Sequence, residues 1–264
     1  MFYGYQRQPE LRTVEGEMIS ACVRAGIFRT PMDAHFQSAS RTDRGVHAVS
    51  NAVAFDTSFS KEEIIPALNA LCEDIYFHSM LEVPSSFNPR RARMRHYRYF
   101  LFDPPDRNRL SDALEAFVGE RDFSNFSKGG SQGRIRRIER ITMTECEGCI
   151  AVDFAGRSFL HNMIRRIMSA ALMVASGKVE RVDVQEALSG KRRSFGLAPP
   201  EYLILMDVDY GMRFESYAFR KAEHLLRERM VQARIRETLF SYIMDEFRKD
   251  SEYGRIHHKN TSEC

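Results

Sequence analysis

The chain has 264 residues, 43% hydrophobic and 28% charged, with a formal net charge of +3, so it can bury a substantial core as one large domain or two small ones. No terminal apolar run is long enough for a signal peptide or a membrane span, which makes a soluble cytoplasmic protein with no membrane partner the expectation. Seven of the 39 basic residues are lysine and the rest arginine; a guanidinium binds phosphate bidentately and stacks on bases, so the bias fits an RNA partner, although genomic base composition also raises arginine.

In chain order, Thr13 reads as the N-cap of a helix with Val14, Met18, Cys22 and Val23 on its apolar face and Glu15 and Glu17 in its first turn. Ser38 to His47 is a glycine-containing loop that runs into a strand. There Val49, Asn51, Val53 and Phe55 share one face, and Ala48, Ser50, Ala52 and Ala54 the other. Pro66 suits a first turn, which places a short helix from near Ile65 to near Leu71. Ile75, Phe77, Leu81 and Val83 alternate as a strand, 84–89 is a loop, and Arg95 to Phe102 is a strand with Tyr97, Tyr99 and Leu101 on one face. Asp103-Pro104-Pro105-Asp106 marks a boundary between subdomains.

Beyond it, Ser111 can cap a helix through Val118 that Gly119 closes. Strands at about 135–145 and 149–156 are joined by a turn at Glu147-Gly148. Phe159 to Ser176 has helical spacing ended by Gly177. Asp183 and Glu186 form a capping-box pattern for a short helix closed by Gly190. Tyr202 to Val208 is a final strand. Residues 212–253 contain neither glycine nor proline, and Leu226, Met230, Ala233, Leu239, Phe240, Ile243, Met244 and Phe247 recur at helical spacing, the pattern of a tail that packs on the body or on a second subunit. His257 to Cys264 reads as a frayed end.

The loop Ser38-Ala-Ser-Arg-Thr-Asp-Arg-Gly-Val-His47 sets an aspartate between two arginines on a segment held by sheet, a placement that suits a reactive carboxylate. Arg41, Thr42 and Asp43 with the following Gly45-Val46-His47-Ala48 closely resemble the signature of the TruA-type tRNA pseudouridine synthases. Further motifs of that family are matched in order. Phe2-Tyr3-Gly4-Tyr5-Gln6-Arg7-Gln8 with Thr13-Val14-Glu15 resembles its opening, and Arg95-His96-Tyr97-Arg98-Tyr99 its second motif. Phe159-Leu160 through Met163-Ile164-Arg165-Arg166 is similar to the third, and Leu197-Ala198-Pro199-Pro200 with Leu203, Leu205 and Tyr210 to the fourth. The Arg-Thr-Asp-Arg-Gly wording is closer to archaeal members.

The resemblance implies an α+β pseudouridine synthase fold. Two mixed subdomains with largely antiparallel sheets, 1–103 and 104–211, would meet over a central basic cleft, followed by a helical extension at 212–264. It implies an isomerase that converts uridine to pseudouridine in the anticodon stem-loop of tRNA, without cofactor or metal. Asp43 would attack the ribose C1′ or remove the C2′ proton, two routes that stay open. Arg165 resembles the arginine that pairs with this aspartate, with Arg166 its rival, and Ile164, Ile167 and Met168 holding their helix in the core. Tyr97 resembles the tyrosine that stacks on the target uracil, while Tyr99 takes the core role. Arg41 would fill the gap left by a flipped base, and Leu203 would wall the pocket. His47 and His161 are poor catalytic candidates.

Members of the family have a strand of roughly ten residues before the Phe-x-Gly-x-Gln block, whereas Met1 here stands inside it, so a gap or unpaired edge is expected in the N-terminal sheet. Tyr202 stands where the family usually has glycine. A homodimer is an assembly the resemblance allows.

Basic residues cluster at Arg90, Arg91, Arg93, Arg95 and Arg98, at Arg134, Arg136, Arg137 and Arg140, and at Lys191, Arg192 and Arg193. Beside the motifs, these runs read as a footprint for a phosphate backbone, with Arg136 and Arg137 as its test pair. Cys146 and Cys149 are spaced as Cys-x-x-Cys without a second pair, which reads as cross-strand neighbours in a reduced hairpin rather than a metal module. The other function class is an RNA-binding protein of the same fold without chemistry, against which Asp43, Tyr97 and Arg165 argue.

Overall fold

The computed structural model describes residues 1–102, 105–129, 134–146, 148–217 and 220–259, with the backbone alone at 220–222 and 246–259. Asp103, Pro104 and Glu147, where the sequence suggests a boundary and a turn, lie outside the described residues, as do 260–264. The architecture is mixed α/β with a C-terminal helical extension. Residues Met1–Glu215 form one compact unit and Ser216–Cys264 a second.

Helix α1 spans Val14–Ala25. The Thr13 hydroxyl accepts from the Gly16 N–H at 3.2 Å, and Gly26, at φ 75°, closes the helix by donating to the Cys22 and Val23 carbonyls, a left-handed cap that costs glycine least. Helix α2 spans Lys61–Leu71, four residues earlier than the expected start, with Pro66 inside it. The hydrogen bond that Pro66 cannot make would have gone to Glu62, an exposed first-turn residue whose carbonyl water can serve. Ile64 and Leu68 of α2 meet Ala21, Cys22, Ile27, Phe28 and Ala34 in a small N-terminal core. Phe28, Phe36 and Phe55 pack ring to ring beside it.

The expected strand at 48–55 is instead two short ones. Gln37–Ser38 (β1) pairs antiparallel with Val53–Ala54 (β3), while His47–Ala48 (β2) pairs parallel with residues 204–205. The chain changes partner between Val49 and Ala52, so the alternation is real but serves two sheets. Among the described residues β2 is an edge strand with one neighbour. The strand expected over 75–83 is reduced to Ser79–Met80 (β4). Asn69, buried in α2, accepts from the Phe77 N–H and donates to the Phe77 carbonyl, both at 2.8 Å, replacing a ladder with one side chain.

The main sheet is six-stranded. With Met94–Leu101 (β5), Gly119–Asp122 (β6), Ile135–Cys146 (β7), Cys149–Gly156 (β8) and Leu203–Asp209 (β9), its order is β2-β9-β5-β8-β7-β6. Arg95, Tyr97, Tyr99 and Leu101 of β5 are buried and the residues between them only partly so, as period-2 alternation on a half-covered sheet requires. Cys146 and Cys149 are register partners across the β7–β8 hairpin, with Gly148 at φ 72°.

Helix α3 is Arg107–Glu115, capped by Asp106, whose carboxylate accepts from the Asn108 and Arg109 N–H groups, and not by Ser111. Helix α4, Met163–Ala175, starts four residues after Phe159 because Asn162 takes a left-handed φ of 64°. Helix α5 is Arg181–Leu188, where the Asp183 carboxylate accepts from the Glu180 N–H, so the box opens at Glu180 rather than at Asp183. Ile164, Ile167 and Met168 of α4 join Tyr99, Phe154, Leu110 and Phe126 in the large core.

The second unit carries helix α6, Arg220–Lys259, which continues through 257–259, where the sequence suggests a frayed end. Leu226, Met230, Leu239, Phe240 and Met244 on it are exposed. No helix among the described residues is long and apolar enough to cross a membrane.

Candidate active site

The Asp43 loop joins β1 to β2, hence two different sheets, and local contacts fix it. The Tyr5 N–H donates to the Thr42 carbonyl at 3.1 Å and Arg44 lies over the Tyr3 ring at 4.5 Å, so the opening segment lies against the loop. Gly45 has φ 87°, and a Cβ there would stand 2.8 Å from Pro200 Cγ, so only glycine turns the chain at that point without displacing the proline. The loop's base is held by Arg95, which is 6% exposed. Its Nε donates to Ser40 Oγ at 3.0 Å, Nη2 to the Ala39 and Arg90 carbonyls at 3.0 Å, and Nη1 to the Arg157 carbonyl at 2.5 Å. Burial pushes its pKa down, partly countered by Tyr97 and Tyr210. Arg95 belongs to a run that reads in sequence as phosphate-binding. The parity of β5 instead places it inward with Tyr97 and Tyr99, whereas Arg98 faces out and is bonded to Asp153 at 2.8 and 2.9 Å.

The Asp43 side chain is 19% exposed, and each carboxylate oxygen has its own partner. Arg165 Nη1 lies 2.9 Å from Oδ2, a contact that spans 122 residues of chain. His161 Nε2 lies 3.0 Å from Oδ1. Arg165 is in the first turn of α4, so the carboxylate sits at that helix's N-terminal end, where the dipole attracts an anion. The guanidinium is fixed in turn, because its Nε donates to the Ala198 carbonyl at 2.8 Å and the Ala198 N–H returns a bond to the Arg165 carbonyl at 3.1 Å. This links the third and fourth motifs through one side chain. Arg166 is part-exposed, with its Nε buried and unpartnered.

Tyr97 is 9% exposed and meets Phe159 edge-on, with ring centroids 5.4 Å apart. Burial pushes its phenol pKa up, Arg95 opposes that, and the Asp43 charge adds to it, so the ring lies within the field of the carboxylate. A bulge in β9 stands next to it: His96 pairs with Asp207 and Tyr97 with Leu205, leaving Met206 unmatched, a device that re-aims side chains. Leu203 is buried on β9 opposite Tyr99. Tyr99 itself is 1% exposed and its hydroxyl donates to the Pro199 carbonyl at 3.1 Å. Tyr202 is exposed and packs edge-on against Tyr99.

Arg41 is exposed on the Asp43 loop. Arg136 and Arg137 are on β7, which β8 separates from β5; Arg137 pairs with Glu139 at 2.9 Å and Arg136 donates to the Ile135 carbonyl at 2.7 Å. The fold thus brings Asp43, Arg165 and Tyr97 together and leaves the two β7 arginines apart from them. Sequence reasoning sets His161 aside as a poor catalytic candidate and counts Arg95 in a phosphate-binding run, whereas the first lies on Asp43 and the second beneath its loop. Among the described residues, no group of three or more His, Cys, Asp or Glu side chains is arranged to hold a metal ion.

A family model described as tRNA pseudouridine synthase matches residues 113–211. A tRNA pseudouridine synthase A of Thermococcus sibiricus is 42% identical over 237 residues, covering 86% of this chain and 88% of its own length. The protein of that name from Methanothermobacter thermautotrophicus is 40% identical, covering 86% and 85%. That of Thermococcus kodakarensis is 37% identical, covering 93% and 95%. Among solved structures, a chain of a Cbf5-Nop10-Gar1 complex overlays with a TM-score of 0.35 and 14% identity, over 66% of this chain and 44% of its own, too weak a likeness to bear on the site. With relatives of that identity spanning most of its length, and a carboxylate held where the motifs converge, the chain belongs to the TruA-type tRNA pseudouridine synthase family.

Proposed function

We propose that this protein is a cytoplasmic isomerase that converts uridine to pseudouridine in the anticodon stem-loop of tRNA, with Asp43 as its catalytic carboxylate and no cofactor. The observation that carries the reading is the pairing of Asp43 with the buried Arg165 at 2.9 Å. A carboxylate beside a fixed guanidinium is held in one orientation, as a nucleophile or base must be. The reaction breaks the bond between N1 and the ribose C1′, turns the uracil and joins C5 to C1′; the C5 proton is lost and N1 gains one, so no atom is added or removed overall. Asp43 either bonds to C1′ in the interval or takes the C2′ proton and returns it. Tyr97 would stack on the uracil, Leu203 would wall the pocket, and Arg41 would occupy the space the flipped base leaves. Arg136 and Arg137 would contact phosphates.

Asp43→Asn keeps size and hydrogen bonding but removes charge and basicity. The expected variant binds tRNA with near-parental affinity, melts near the parental temperature and yields no pseudouridine when tRNA is mapped nucleotide by nucleotide. Turnover by the variant would refute the role of Asp43, and a parent that binds tRNA without modifying it would favour a binding protein.

A further inference from the structure

The two partners of Asp43 are built differently. Arg165 is nearly enclosed, its side chain 11% exposed and its Nε tied to Ala198, so its hold on Oδ2 is rigid. The His161 side chain is 55% exposed. It extends from the turn just before α4, where its carbonyl accepts from the Lys128 N–H at 3.0 Å and the next residue, Asn162, has φ 64°. The backbone is anchored and the ring faces solvent, the side from which an RNA must arrive. The two oxygens are therefore not equivalent: Oδ2 is locked by a buried cation, while Oδ1 is held by a group that substrate can reach.

We propose that His161 is a positioning residue for Asp43, donating from Nε2–H to Oδ1 so that the carboxylate cannot rotate into a two-point pair with Arg165 and Oδ1 stays presented to the ribose. A carboxylate left with one guanidinium tends to the bidentate arrangement, which turns both oxygens toward the arginine. The kinetic consequence rests on the tRNA pseudouridine synthase reading; the structural one rests on geometry alone.

Two variants separate the roles. His161→Gln keeps an N–H donor of similar reach, and His161→Ala removes it. With tRNA as substrate, His161→Ala is expected to lower kcat about tenfold at unchanged KM, while His161→Gln recovers most of the loss. A rise in KM at unchanged kcat would put His161 on the RNA instead and overturn the proposal, as would a kcat within about twofold of the parent. Melting curves check that both variants fold. Crystal structures of the two variants give a reading that needs no activity: in His161→Ala the Asp43 carboxylate should turn to place both oxygens on Arg165, and in His161→Gln it should stay. An unmoved carboxylate in His161→Ala sinks the positioning role whatever the kinetics. An inactive parent would sink the functional reading and leave the crystal structures to decide on His161.

Discussion

Replacing Arg95 with methionine tests whether the Asp43 loop is held from beneath. Arg95 is 6% exposed and its guanidinium serves four acceptors, Ser40 Oγ and the Ala39, Arg90 and Arg157 carbonyls. Methionine fills much of the same volume but removes all four hydrogen bonds, at about 1 kcal/mol each. Relief from burying a cation offsets about 1–2 kcal/mol of that, so the net loss is about 2–3 kcal/mol. In a domain of this size it should lower the Tm by roughly 5–10 °C. Two of the acceptors flank the loop at Ala39 and Ser40, so kcat should fall by about tenfold or more through misplacement of Asp43. Calorimetry reads the first effect, hydrogen exchange of the 38–46 amides the local loosening, and single-turnover kinetics the last. Arg95→Lys should not restore the parent, because an ammonium cannot spread over four acceptors in a plane. A Tm within about 2 °C of the parent, with unchanged exchange in the loop, would refute the reasoning.

Gly45→Ala forces a side chain onto a φ of 87° and toward Pro200 Cγ at 2.8 Å, so a loss of about 1–3 kcal/mol is expected in chemical denaturation, with reduced turnover. Burial raises the phenol pKa of Tyr99 and of Tyr210 to about 12. The folded state therefore holds these protons above the ordinary pKa near 10, and stability present below pH 10 is lost as pH rises toward 12, by about 1–2 kcal/mol per tyrosine. Tyr99→Phe and Tyr210→Phe should each flatten that alkaline limb of a melting-temperature profile, and an unaltered limb in the double variant would contradict the assignment. Replacing Arg136 and Arg137 together with alanine should weaken tRNA binding and reduce its log-log salt slope by about one unit for each phosphate no longer neutralised; an unchanged slope removes them from the interface.

The strands of the main sheet are legible because each is paired along most of its length: β5, β7, β8 and β9 are found where expected, with bulges in β7 and β9, and only their ends differ from expectation. The elements that sequence misleads on are those whose backbone partners are not ladders. Residues 48–55 alternate correctly yet divide between β9 and β1, and the backbone of Phe77 is satisfied by Asn69. The start of α4 shifts because a left-handed Asn162 has no signature in apolar spacing. At the site, the pairing of Asp43 with Arg165 follows from motif resemblance, since nothing local to either residue announces a contact across 122 positions. Arg95 is readable in principle, because it shares the parity of Tyr97 and Tyr99, but a basic run hides parity. His161 carries no signal at all. An exposed histidine in a turn looks the same in sequence whether or not a carboxylate lies 3.0 Å away.

The unmatched Met206 makes β9 sensitive to length rather than to composition. Leu203 and Leu205 face the core with odd parity and Val208 with even parity, and the bulge reconciles them. Deleting Ile204 would leave Leu203 and Leu205 adjacent, so that only one of them could face the core, whereas deleting Met206 itself would restore plain alternation. The same strand pairs His47 and Ala48 on its other edge, so a one-residue slip would carry the end of the Asp43 loop about 3.3 Å along the sheet. Conservative substitutions in β9 should be tolerated where insertions and deletions on either side of Met206 are not, which ties the reach of the carboxylate to a count of residues in a strand that contributes none of its own side chains to holding it.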